Sequence, residues 1–128
     1  MENQDEKLRL SFLIRVIQKE RRYLKLTDQR LFAVPLNIQR LQKLEQDISL
    51  AEQLDAFGSR FGRLQDNVGD KLLPAVLNIL GEKKGPVLDN LNKAEKFGWL
   101  VSVDNWLSAR QLRNKMVHEY IEDLELLA

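Results

Sequence analysis

The chain has 128 residues and a mass of 14.9 kDa, the length of one ordinary domain and enough to bury roughly two-thirds of its unfolded surface. A hydrophobic share of 44% beside 30% charged residues excludes a disordered chain; no cysteine means no disulfide, thiolate metal site or cysteine nucleophile, and one histidine makes a protein-only zinc site a poor expectation. A net charge of +1 argues against wholesale coating of nucleic acid while leaving room for a local basic face.

No apolar run approaches the roughly 20 residues of a membrane span, and the opening Met-Glu-Asn-Gln-Asp-Glu-Lys is acidic, unlike a secretory signal. The expectation is a cytoplasmic protein without a membrane partner. Leucine occurs 24 times, whereas valine, isoleucine and threonine together occur 15 times. Helices favour leucine and strands favour β-branched residues, so the fold class expected is all-α.

A first helix is predicted over residues 4–25, with Leu8, Phe12, Ile14, Val16 and Ile17 among its apolar positions. Thr27-Asp28 reads as a stop or a fresh cap, and Pro35 as a helix entry. A second helix is predicted from the amphipathic stripe Ile38, Leu41, Leu44, Ile48, Ala51 and Leu54. Residues 59–80 read as helical but bent or split by Gly58, Gly62, Gly69 and Pro74. Gly81 to Gly85 reads as a polar loop, with Pro86 opening a helix that ends near Gly98. Ser102 or Asp104 is expected to cap a last helix from about 103 to 127. Short connections favour a single domain, residues 1–128, folded as an antiparallel bundle of four to five helices.

On a helical wheel of about 100° per residue, Arg113 falls in the middle of the most apolar arc of that last helix. Trp106, Ala109, Met116, Val117, Tyr120, Leu124 and Leu127 all lie within roughly 60° of it. A cation there is costly unless it is paired or faces a polar cleft. One reading is a structural ion pair with Asp66 or Asp70. The arc beside it, with Arg110, Ile121, Asn114, Leu107 and His118, widens the apolar surface and suggests that something else covers it; a partner subunit is one candidate.

The segment Leu112-Arg113-Asn114-Lys115-Met116-Val117-His118-Glu119-Tyr120 brings together the only histidine, an arginine five positions before it and a tyrosine two after it. Arg113-x4-His118-x-Tyr120, with polar Asn114 beside the arginine, resembles the signature of the HEPN superfamily, and within it the HepT-like toxins encoded beside minimal nucleotidyltransferases. Phe61-Gly62-Arg63-Leu64-Gln65-Asp66, followed by Asp70-Lys71 and Pro74, is a softer likeness to the same group. The resemblance implies a homodimer whose two motifs meet at a cleft and act as a metal-independent endoribonuclease.

Those residue types suit that chemistry. RNA carries its own nucleophile, the 2′-hydroxyl, so cleavage needs a proton acceptor, a proton donor and a stabiliser of phosphorane charge. Histidine exchanges protons near neutrality, and arginine presents a planar fork to phosphate oxygens. One histidine per chain cannot easily be acid and base at once; two copies of His118 across a two-fold axis supply both. The site implied is therefore Arg113 and His118 as catalytic residues, supported by Asn114, Asp66 and Arg110. The resemblance further implies that Tyr120 accepts an adenylyl group from a cognate nucleotidyltransferase antitoxin, ATP being only the donor, with no cofactor of the chain's own. Tyr120 also fits a plain core aromatic. The alternative function is a non-catalytic dimeric subunit that binds a nucleotide or a nucleotidyltransferase.

Other clusters are weaker. Arg15, Lys19, Arg21, Arg22 and Lys25 face one acid, Glu20, and form either a phosphate-steering patch or an ordinary solvated face. Asp66 and Asp70, one turn apart, suit either a magnesium ion or, more simply, partners for Arg63, Arg110 or Arg113. Gly58-x3-Gly62 permits close helix approach but lacks the Lys-Ser/Thr of a phosphate loop.

Overall fold

In the computed structural model the backbone is described for residues 2–127 and the side chains for residues 4–115. The first helix, α1, runs from Glu2 to Leu31, six residues beyond its expected end. Thr27 does not stop it: its hydroxyl donates back to the Tyr23 carbonyl at 3.2 Å and accepts from Arg60 Nη1 across the helix interface. With both capacities of the hydroxyl used inside the fold, Thr27 is 6% exposed and the helix continues to fully buried Leu31.

The amphipathic stripe of residues 38–54 is not one helix. It divides into α2, Ile38–Gln42, a 3₁₀ turn, Leu44–Gln46, and the start of α3, Ile48–Asp66. Two side-chain caps cause the break. Asn37 Oδ1 accepts from the Arg40 amide at 2.8 Å and Asp47 Oδ1 from the Leu50 amide at 3.0 Å, so each starts a helix of its own. The turn between them brings Leu44 into a core cluster with Leu31, Leu50 and Leu54.

From Ile48 the chain stays helical to Ile79, as α3, a π-helical segment, Asn67–Leu72, and α4, Leu73–Ile79. Pro74 has no amide hydrogen and would break a regular ladder; here it sits at the first turn of α4, directly after the π segment has relaxed that ladder. Gly81 (φ 75°) and Gly98 (φ 79°) adopt the left-handed conformation just past the ends of α4 and of α5, Val87–Lys96. The last helix, α6, spans Val103–Leu127. Ser102 is its cap, Oγ accepting from the Asn105 amide at 3.1 Å, and Glu95 Oε2 accepts from the Val103 amide at 2.6 Å.

The bundle is all-α, with no strand among the described residues. Pairings of Phe32 with Phe57, Thr27 with Arg60, Glu20 with Asn67 and Glu6 with Asn78 set α1 antiparallel to the α3–α4 rod. Trp106 against Gln65 and Arg113 against Gly62 set α6 antiparallel to α3 as well. α3 is thus flanked by α1 and α6. A second core, Leu73, Leu77, Leu91, Ala94 and Val103, joins the rod to α5 and α6. No helix among the described residues is long and apolar enough to cross a membrane.

Candidate functional site

The seam between α3 and α6 begins with an absence of side chain. A Cβ on buried Gly62 would lie closer than 3.0 Å to Nε, Cζ and Nη2 of Arg113, a distance no real contact allows. Glycine at this point of α3 is therefore the seat of the Arg113 guanidinium. About two turns along, Gly69 meets the Trp106 ring, its virtual Cβ 3.3 Å from Cζ2. Gln65 lies on the same seam, 5% exposed, and donates through Nε2 to the Trp106 carbonyl at 2.9 Å.

Asp66 stands at the centre of the charges. Its Oδ2 is 3.9 Å from Arg113 Nη2, and its Oδ1 is 3.9 Å from Arg110 Nη2. Both separations allow attraction, but both exceed the 2.7–3.2 Å of a direct hydrogen bond. Arg113 Nη1 donates to Asn114 Oδ1 at 3.2 Å, a bond between neighbours in the chain. Arg113 Nε, Asp66 Oδ1 and Gln65 Oε1 are buried with no hydrogen-bond partner among the described residues. The cluster thus holds two guanidiniums and one carboxylate close together while leaving several strong donors and acceptors uncommitted, in a protein where nearly all buried polar atoms should be satisfied.

Four of the residues singled out from sequence, Asp66, Arg110, Arg113 and Asn114, therefore come together. Arg113 faces inward as the wheel requires, its side chain 25% exposed. Between the two carboxylates offered as its partner, the structure selects Asp66. Asp70 is exposed and lines a separate cleft of about 300 Å³ with Glu6, Arg9, Lys71 and Lys84. Asp66 is engaged with the arginines of α6 and Asp70 with a different opening, and among the described residues no group of three His, Cys, Asp or Glu side chains gathers to hold a metal ion. Arg63 pairs with neither, donating instead to Ser59 Oγ at 3.1 Å. Positions 118 and 120 fall within α6, and the side chains of His118 and Tyr120 lie outside the described residues.

From sequence Gly62 reads as a close-approach glycine with no link to Arg113, and Gln65 reads only as one position of the segment 61–66, with no role of its own. The available signal was the spacing Gly62-x3-Asp66 opposite Arg110-x2-Arg113, each one helical turn, which two antiparallel helices bring face to face.

Residues of the basic stretch, Arg15, Lys19, Arg21, Arg22 and Lys25, are all exposed on α1. On the side of α3 away from Gly62, Arg60 donates through Nη1 to the Tyr23 carbonyl at 3.0 Å and stacks over the Tyr23 ring at 5.5 Å. Compared with protein-family models, with curated proteins and with solved structures, the chain matches none.

Proposed function

We propose that the chain is an RNA-cleaving toxin of the HEPN type, working as a homodimer in the cytoplasm and restrained by a nucleotidyltransferase that adenylylates Tyr120. The observation that carries the reading is the state of Arg113. A guanidinium used only as a structural counter-ion closes bidentate hydrogen bonds on its carboxylate. Arg113 instead rests on Gly62 at 3.9 Å from Asp66, with buried Nε unpartnered among the described residues. It is oriented and largely uncommitted, as a phosphate-binding arginine needs to be.

The chemistry follows from the residue types. The 2′-oxygen of the substrate attacks the adjacent phosphorus, the bond from phosphorus to the 5′-oxygen breaks, and a 2′,3′-cyclic phosphate and a 5′-hydroxyl result. His118 takes the proton from the attacking hydroxyl, and His118 of a second copy gives one to the leaving oxygen. Arg113 stabilises the extra negative charge on the phosphorane, and Arg110 and Asn114 line its approach. Leu112, adjacent to Arg113 on α6, is 61% exposed.

The test is cleavage of RNA in excess chelator. The expected products carry cyclic-phosphate ends, and His118→Ala loses roughly a hundredfold or more of the rate, the usual share of general acid–base catalysis, while remaining dimeric. Equal cleavage by His118→Ala removes the enzymatic reading. Nucleotide or nucleotidyltransferase binding without any cleavage selects the non-catalytic subunit instead.

A further inference from the structure

α1 and α3 part along their outer edge. The opening begins with a cleft of about 270 Å³ lined by Glu20, Tyr23, Arg60 and Arg63. It continues into a groove of about 770 Å³ that shares Tyr23 and Arg60 and runs on past Leu26 and Arg30. Small residues opposite, Ser49 and Ala56, keep the helices from filling it. From Glu20 to Arg30 the α1 wall is about 15 Å long at 1.5 Å per residue, the length of a few nucleotides.

Its chemistry is uneven in charge. The lining carries Arg30, Arg60 and Arg63 against Glu20 and Glu52, and the α1 wall adds the exposed Arg15, Lys19, Arg21, Arg22 and Lys25 around it, so that residues 15–30 hold a net +4 in a chain whose total is +1. Glu20 is held in place by Asn67, Oε1 accepting from Nδ2 at 2.6 Å, and its Oε2 has no partner among the described residues. At the centre stands an aromatic ring. Tyr23 is 46% exposed and is held from behind by Arg60, which bonds the Tyr23 carbonyl and the Thr27 hydroxyl while lying over the ring. Arg63, one turn further, is exposed and among the described residues bonds only Ser59 Oγ.

We propose that the α1–α3 groove is a binding track for single-stranded RNA, separate from the α3–α6 seam. A cationic groove carries a polynucleotide backbone, and an exposed, fixed aromatic gives one base a stacking platform regardless of its identity. An acidic polypeptide would use the cations but would gain nothing specific from Tyr23, and that difference separates the two occupants. The track rests on the reading that RNA is the substrate. It gives the protein a hold on the strand that does not depend on the scissile phosphate, since Arg60 and Arg63 project from the face of α3 roughly 100° or more around from Gly62.

The experiment uses the full chain carrying His118→Ala, so that the probe survives, and a fluorescein-labelled oligouridylate ten nucleotides long, read by anisotropy across a salt series. Tyr23→Leu on that background weakens binding roughly tenfold, the usual loss of one stacked base, and Tyr23→Phe retains it. Arg63→Gln weakens binding about threefold and lowers the slope of log K against log salt by about 0.7. Unchanged binding in both Tyr23→Leu and Arg63→Gln overturns the track, as does displacement by polyglutamate from a site indifferent to Tyr23→Leu. Cleavage by the His118-bearing chain is scored separately. Groove-dependent binding without cleavage supports the track and removes the nuclease; cleavage with groove-independent binding does the reverse.

Discussion

Gly62→Ala separates what holds the bundle together from what positions Arg113. Adding a methyl group to α3 places a carbon closer than 3.0 Å to three atoms of the guanidinium, so the guanidinium has to leave. Two opposed terms set the cost to stability. Alanine is a better residue than glycine inside a helix by about 0.5–1 kcal/mol. Against that stands the loss of the Arg113–Asp66 attraction, which at 3.9 Å and with 25% and 40% of the two side chains exposed falls in the range of about 0–1 kcal/mol for solvated ion pairs. The displaced group is the tip of a flexible side chain beside solvent, so it swings out rather than forcing the helices apart. The net change expected is within about 1 kcal/mol, or about 4 °C in Tm for a domain of this size.

Function should respond on another scale. If Arg113 stabilises transition-state charge from its seat on Gly62, dislodging it costs roughly a hundredfold to a thousandfold in cleavage, as removal of one such donor does elsewhere. The assay pairs thermal unfolding by circular dichroism with the rate of RNA cleavage on the same preparations. A Gly62→Ala protein that cleaves at the parent rate refutes the seated arginine as the working one. A loss of several kcal/mol in stability refutes the premise that the guanidinium is a movable tip.

Two further outcomes follow from the same packing. Arg113→Met removes one of two guanidiniums beside a carboxylate that is 40% exposed and keeps Arg110 at 3.9 Å, so urea unfolding should place its stability within about 1 kcal/mol of the parent, with cleavage abolished; a loss beyond about 3 kcal/mol would identify a structural ion pair. Leu77→Ala, at a side chain with 0% exposure in the second core, should cost about 2–5 kcal/mol by urea unfolding, and a cost below about 1 kcal/mol would contradict the packing of α4 on α5.

Helix content, the loop at Gly81–Gly85 and the last helix were legible in the sequence because each rests on local chemistry: leucine over β-branched residues, glycine past a helix end, serine at a helix start. The inward position of Arg113 was equally legible, since a wheel depends only on spacing within one helix. What escaped depended on another helix. Thr27 reads as a terminator until Arg60, 33 residues away, supplies a donor to its hydroxyl. The stripe from Ile38 to Leu54 reads as continuous because periodicity ignores the caps at Asn37 and Asp47, which compete with it for the backbone. Asp66 and Asp70 were indistinguishable as partners because a wheel of α6 carries no information on which turn of α3 stands opposite Arg113.

That last failure exposes what aligns the site with the rest of the fold. Buried positions along the central rod are Leu50, Leu54, Gly58, Gly62, Gln65, Gly69, Leu73 and Leu77, almost all four residues apart. On an ideal α-helix each four-residue step overshoots a full turn by about 40°, so such a stripe would wind away from its neighbours well before Leu77. A π segment holds more residues in each turn and takes up that overshoot. Placed at Asn67–Leu72, it lets Leu73 and Leu77 reach the second core while Gly62, Gln65 and Gly69 stay against α6. Asp66 and Asp70 sit one position further round the rod; Asp66 meets the two arginines of α6 while Asp70 lines the cleft beside Glu6 and Arg9. Among the described residues the seam holds one carboxylate against two guanidiniums, and that excess of positive charge is what the proposed phosphate-binding role draws on.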